Sequence, residues 1–143
     1  MPEMENKPIA SFKFKSSCNG EQWITVRVVG NWIGFGMWGE KGEEGDLAFD
    51  INIAKQLATA ISKAIDLASK DTYKTHVATI RVEEDDPDNC GEIKVLVWNQ
   101  VNLIAVMDWT GTVDIILERD TAQALLKALN DAIIMASKYE SIS

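Results

Sequence analysis

The sequence predicts an α+β fold made by tandem duplication, in which a unit of four antiparallel strands followed by a helix occurs twice, (ββββα)×2. Two observations carry this expectation. AKQLATAISKAIDLASK (54–70) lies over AQALLKALNDAIIMASK (122–138) at a constant offset of 68, with identities at Ala54/Ala122, Leu57/Leu125, Ala60/Ala128, Ala64/Ala132 and Ile65/Ile133. Ahead of each copy stand short segments that alternate apolar and polar residues, the period of a half-buried strand. The whole chain, 1–143, is expected to form one domain of two repeats, 9–70 and 75–139.

In the first repeat, ASFKFKS alternates Phe12 and Phe14 with Lys13 and Lys15, and CNGE supplies a Gly-containing turn. WITVRVV then puts Ile24, Val26 and Val28 on one face and Trp23, Thr25 and Arg27 on the other. Gly30-Asn31 marks the next turn, WIGFGMW the third strand and LAFDI the fourth. The third strand is apolar on both faces, so its buried side stays open. The second repeat follows as HVATIRV, EIKVLVW, NLIAVMDW and VDIILE, with EEDDPDN as a polar loop between its first two strands. Upstream of the helices, Asn31-Trp32-Ile33 matches Asn102-Leu103-Ile104 and Trp38 matches Trp109. That offset of 71 implies a longer loop, EKGEEG, in the first half. In each helix, apolar residues recur at i, i+3, i+4 and i+7 and form an alanine-rich stripe suited to close packing. Asn52 and Asp120 are the expected N-caps, and Asp120 with Gln123 has capping-box spacing.

Composition narrows the chemistry. The chain has 143 residues, 46% of them hydrophobic and 25% charged, which suits a folded domain and not a disordered one. Its 14 Lys+Arg against 22 Asp+Glu give a net charge of −8, so the molecule as a whole repels phosphate backbones. No apolar run approaches the ~20 residues of a membrane span. The acidic start MPEMENKPIA lacks the basic and apolar regions of a secretory signal, so a cytoplasmic setting with reduced cysteines is expected.

Chemical motifs are sparse. Gly34-Phe-Gly36-Met-Trp-Gly39 matches G-x-G-x-x-G, but it falls within a strand and another strand follows it. A dinucleotide fingerprint needs a strand-to-helix turn. Small residues at a close approach of a helix or another chain are the plainer explanation. Asp86-x-Asp88-x-Cys90-Gly91 copies the front of an EF-hand loop, yet Val97 stands where the bidentate Glu belongs, so a solvated hairpin tip is expected. His76, Cys18 and Cys90 form no ligand or nucleophile cluster. No metal, no cofactor and no catalytic residue is therefore assigned, and the protein is expected not to be an enzyme.

The tryptophans are more informative. Trp38 and Trp109 align and are expected to be shared core anchors. Trp23, Trp32 and Trp98 differ between the copies, so each half uses them separately. If Ile24, Val26 and Val28 face the helix, then Lys13, Lys15, Trp23 and Arg27 share the opposite face, a basic–aromatic patch of the kind that stacks bases. In the second half that face carries Arg81, Lys94, Leu96, Trp98 and Ile116, of which Leu96, Trp98 and Ile116 form the apolar surface expected to be covered by a protein partner.

A β-β-β-β-α unit occurring twice resembles the Whirly family of single-strand DNA-binding proteins. The same unit occurs in related transcriptional-coactivator and purine-rich-element-binding families. The resemblance spans about residues 9–139 and is one of element order, without a signature motif, so no functional residue is carried over. It implies sheets that present basic and aromatic side chains to nucleic acid, and helices that pack the repeats together. The net charge departs from that pattern. The leading expectation is thus a non-catalytic acidic binding protein of inhibitor or immunity type. It would act on a protein partner through its sheet surfaces and its acidic loops EKGEEGD and EEDDPD. The alternative is a single-stranded DNA or RNA binder that uses Lys13, Lys15, Trp23 and Arg27. A homodimer is expected, with Trp98 near its buried surface.

Overall fold

The computed structural model describes residues 10–16, 21–39, 42–68, 74–83, 90–108 and 111–142. The fold is α+β. Strands β1 (Ala10–Ser16), β2 (Gln22–Val29), β3 (Trp32–Trp38) and β4 (Glu44–Phe49) form one antiparallel sheet, and helix α1 (Ile51–Ala68) follows it. Strands β5 (Thr75–Val82), β6 (Gly91–Trp98), β7 (Gln100–Met107) and β8 (Gly111–Leu117) form the second, followed by α2 (Arg119–Ile142). Both sheets are meanders in sequence order. Among the described residues no helix is long and apolar enough to cross a membrane. The segments 17–20 and 84–89, which hold Cys18 and most of the acidic EEDDPDN loop, lie outside the described residues, as does Trp109.

Strand registers correct the alignment of the repeats. Ile33 pairs with Phe49 as Val101 pairs with Leu117, so β3 and β7 correspond at an offset of 68, the same as the helices. Val28 opposes Ile33 as Val97 opposes Val101, which sets β2 against β6 at 69. The upstream offset of 71 is therefore wrong, and the β3–β4 loop is not the source of any difference. The offset changes at the β2–β3 hairpin, whose connection is one residue longer than that of β6–β7. An odd slip from 68 to 71 would turn every inward side chain of β3 outward, and the buried face forbids it. Trp38 thus corresponds to Val106 and Trp32 to Gln100.

The two hairpins use different turn chemistry. Gly30 has φ 61° while Asn31 stays at negative φ, the pattern of a II′ turn that needs glycine at its first central position. In the second hairpin Asn99 alone takes the left-handed conformation, with φ 64°. Helix starts also differ from expectation. Asp50 caps α1, its Oδ1 accepting from Ile53 N–H at 3.0 Å, and Glu118 C=O accepts from Ala122 N–H at 2.9 Å at the start of α2. The aligned caps are therefore Asp50 and Glu118, two residues earlier than Asn52 and Asp120, because that single residue separates each helix from the last strand residue, Phe49 or Leu117.

The helices exchange sheets. α1 packs chiefly on β6 and β5, and α2 on β2 and β1, while the helices also pack against each other. Each sheet is thus covered by the helix of the other repeat. The covering stripes are Ala54, Leu57, Ile61 and Ala64 in α1 and Ala122, Leu125, Leu129 and Ala132 in α2, all fully buried. Opposite them lie the inward residues of the sheets, among them Ile24, Val26, Phe35, Phe49, Ile93, Leu103 and Ile115. Each such side chain contributes roughly 1.5–3 kcal/mol by leaving water. At its far end α2 places Tyr139 against the β2–β3 turn, where a Cβ on Gly30 would stand 3.3 Å from the ring.

The sheets meet along β4 and β8. Ser16 Oγ–H donates to Ile116 C=O and Gln22 Nε2–H to Asp114 C=O at 2.8 Å, so side chains of the β1–β2 hairpin cap the outer edge of β8. This satisfies edge carbonyls that an exposed strand would offer to another chain. Close approach also explains two glycines. A Cβ on Gly91 would lie 2.6 Å from Val106 C=O, whereas one on Gly45 would strike only the Met107 methyl end. Gly91→Ala should destabilise the protein by about 1–3 kcal/mol in urea unfolding, since backbone must move. Gly45→Ala should cost less, because the flexible Met107 side chain can swing aside.

Candidate binding faces on the two sheets

With the inner faces buried by the exchanged helices, each sheet turns its other face outward. On the β1–β4 sheet the registers align three cross-strand rows: Lys15–Trp23–Trp38–Glu44, Lys13–Thr25–Gly36–Asp46 and Ser11–Arg27–Gly34–Ala48. The four residues predicted to share this face, Lys13, Lys15, Trp23 and Arg27, are brought together. Lys13 Nζ stands 4.4 Å from the Trp23 ring centroid and Lys15 Nζ 5.7 Å, so the indole lies under two cations.

The glycines of β3 let this face lie flat. β3 turns Ile33, Phe35 and Met37 inward and Trp32, Gly34, Gly36 and Trp38 outward, which answers the question its apolar sequence left open. The Trp38 ring covers Gly36, where a Cβ would come within 2.8 Å of it, and the Arg27 side chain lies over Gly34. The glycines thus make room for side chains of their own sheet, and no helix of this chain approaches them. Trp38 is half-buried on the outer face, its Nε1–H donating to Glu44 Oε2 at 3.0 Å, and is not a core anchor. Trp32, at the end of the same strand, is 40% exposed.

Carboxylates match this patch. Lys15 Nζ pairs with Glu21 at 2.9 Å and Arg27 Nη2 with Asp46 at 2.8 Å. Lys13 has no carboxylate partner among the described residues. The Lys15 ammonium hydrogen-bonds Glu21 and holds its carboxyl below the usual range.

The β5–β8 sheet carries different chemistry in the same rows. They read Arg81–Glu92–Val106–Thr112, Thr79–Lys94–Ile104–Asp114 and His76–Leu96–Asn102–Ile116. Leu96 and Ile116 therefore share one row on the face away from the helix, half-buried, and Trp98 ends the same strand face at 61% exposure with Lys74 Nζ 5.6 Å from its ring. Gly34 and Gly36 correspond to Asn102 and Ile104, so this face is not flat, and its aliphatic side chains Leu96, Ile104, Val106 and Ile116 stand among charged ones such as Glu92, Lys94 and Asp114. Arg81 closes its edge by a bidentate pair with Asp108, at 2.9 and 2.6 Å, and also reaches Glu83 at 3.4 Å. The hydrogen bonds from Arg81 hold the Asp108 carboxyl below its ordinary range.

Sequence reasoning did not find Trp32, Trp38, Glu44 or Asp46 as parts of the first face. The signal was present in Gly34 and Gly36: alternate glycines in a strand leave a trough that neighbouring large side chains fill. Other motifs carry little chemistry here. Gly34, Gly36 and Gly39 lead into β4, with no helix start to hold a pyrophosphate. His76 is exposed, with Nε2 2.6 Å from Thr79 Oγ1, and Cys90 is half-buried. Among the described residues no group of His, Cys, Asp or Glu is arranged to hold a metal. No protein-family model matches the chain, and no curated protein is significantly similar to it.

Asp114 gives a test of this geometry. Desolvation by burial raises its carboxyl pKa, a shift opposed by the charge of Lys74. A raised carboxyl pKa means that the folded protein holds the proton more tightly than the unfolded chain. Ionised Asp114 therefore costs stability, and the cost grows as pH rises from the unfolded value through the folded one. Asp114→Asn should raise the urea midpoint at neutral pH, and the gain should vanish in acid where both carboxyls are protonated. Asp108→Asn should do the reverse at neutral pH, lowering the midpoint.

Proposed function

We propose that the protein is a non-catalytic binding module that engages a protein partner through the outer faces of its sheets. One observation carries this reading: three of the cations that would attract a phosphate backbone are already matched by carboxylates, Lys15 by Glu21, Arg27 by Asp46 and Arg81 by Asp108, which leaves Lys13 over Trp23. What remains exposed are large apolar groups, Trp32 and Trp98, on a chain of net charge −8. Aromatic anchors rimmed by satisfied polar groups are the usual make-up of a protein interface. The negative charge favours a partner with a basic surface and speeds encounter with it, as in proteins of inhibitor or immunity type.

A second copy covers the aliphatic side chains of the β5–β8 sheet in this reading. Leu96, Ile104 and Ile116 stand beside Trp98 with no helix over them, and burying such side chains contributes roughly 1.5–3 kcal/mol each. Light scattering should then report about twice 15.9 kDa. Trp98→Lys should reduce that mass to the monomer while the far-UV signal of a folded chain persists. A monomer at every accessible concentration would remove the homodimer. A pull-down from the native cell with and without nuclease tests the wider reading, which requires captured protein that survives the nuclease.

Single-stranded nucleic acid is the second reading, favoured by the Lys13–Trp23–Lys15 stack and the flat Trp38 and Arg27 beside it. If it holds, a labelled oligonucleotide should quench tryptophan fluorescence with an affinity that falls as salt rises. Lys13→Glu with Lys15→Glu should abolish the effect. No binding at low salt would leave the protein-partner reading alone.

A further inference from the structure

Away from both sheet faces, an open groove of about 1020 Å³ runs between α1 and α2. One wall is a single stripe of α1 that includes Lys55, Thr59, Lys63 and, one turn beyond, Asp66. The other is a stripe of α2 with Leu126 and Ile134, and the nearly buried Ile133 lies between. Lys55 to Lys63 and Leu126 to Ile134 are each eight residues, so two charges and two aliphatic groups are each spaced by about 12 Å along their helices.

Ile134 does not belong to the shared plan of the repeats. It is 53% exposed, and the equivalent position in α1 is Asp66. Isoleucine is no better a helix former than the residues it could replace, so the fold gives no reason for it there. The lysines are equally out of keeping with an acidic chain, and neither has a carboxylate partner among the described residues. Two lysines against the single Asp66 leave the groove locally positive beside its aliphatic row, which complements an occupant that is acidic and amphipathic.

We propose that this groove docks an acidic amphipathic helix of a partner protein. Aliphatic residues at i, i+3 or i+4, and i+7 would lie on Leu126 and Ile134, and Asp or Glu beside them would pair with Lys55 and Lys63. A second copy seated by two-fold symmetry would instead lay Leu126 and Ile134 on their own equivalents, and the oligomeric state of the Ile134 variant distinguishes that occupant.

Selection of a displayed library of amphipathic helices of about 16 residues, varied in charge, on the full chain tests this. Acidic sequences with aliphatic anchors should be enriched. A labelled winner should bind in fluorescence anisotropy with an affinity that falls as salt rises. Ile134→Asp, and separately Lys55→Glu with Lys63→Glu, should each weaken it at least roughly tenfold, equal to about 1.4 kcal/mol, with far-UV dichroism unchanged. Trp98→Lys and Trp23→Ala should leave it intact, which separates this site from the sheet faces. Overturning results are no enrichment, basic or neutral winners, or binding indifferent to the groove variants. A dimer that Ile134→Asp dissolves would also overturn it, giving the groove to a second copy.

Discussion

Neither sheet is closed by the helix that follows it in the chain, and the rest of the molecule depends on that exchange. A four-stranded sheet with an apolar face needs a cover, and a helix with one apolar stripe needs a floor. Here α1 covers β5–β7 and α2 covers β1–β3, so neither repeat has a core of its own. Alanine makes the arrangement possible. Ala54, Ala58, Ala60 and Ala64 in α1, with Ala122, Ala128, Ala132 and Ala136 in α2, let two helices share the space between the sheets without pushing them apart.

The same exchange frees the outer faces. Inward positions of the two sheets keep similar side chains, such as Ile24 and Ile93, or Phe35 and Leu103, because they meet equivalent helices. Outward positions carry no such restraint and have diverged row by row. Trp23 stands where the second sheet has Glu92, Gly36 where it has Ile104, and Arg27 where it has Leu96. One scaffold therefore carries a flat aromatic–cationic face and one of mixed aliphatic and charged side chains.

Much of this was legible in the sequence, and the parts that were not have physical causes. Element order and the inward residues of β2, β6 and both helices follow from periodicity alone, since water exclusion acts on each segment locally. Lys13, Lys15, Trp23 and Arg27 share a face because alternate residues of paired strands must. Register was not legible. Asn-Trp-Ile and Asn-Leu-Ile look alike as strings, but only the pairing of Ile33 with Phe49 and of Val101 with Leu117 shows that they are out of phase. Pairing between sheet and helix was hidden as well, because an apolar stripe does not name the surface it will meet. Ion pairs such as Arg27–Asp46 join residues on strands that are not neighbours in the chain, and no local pattern marks them.

Chain order gives the exchange a consequence for biosynthesis. As the polypeptide emerges, β1–β4 can pair as a meander at once, but their apolar face has nothing to close it, since the helix made next belongs to the other sheet. α2 follows every strand, so Val26, Phe35 and their neighbours must wait until roughly ninety residues separate them from their cover. Contacts of such long sequence separation slow folding, and an open apolar sheet is prone to wrong associations while it waits. The lysines and charged pairs on the outer face of that first sheet would keep the waiting intermediate dispersed. They would then serve the molecule before it is complete as well as after.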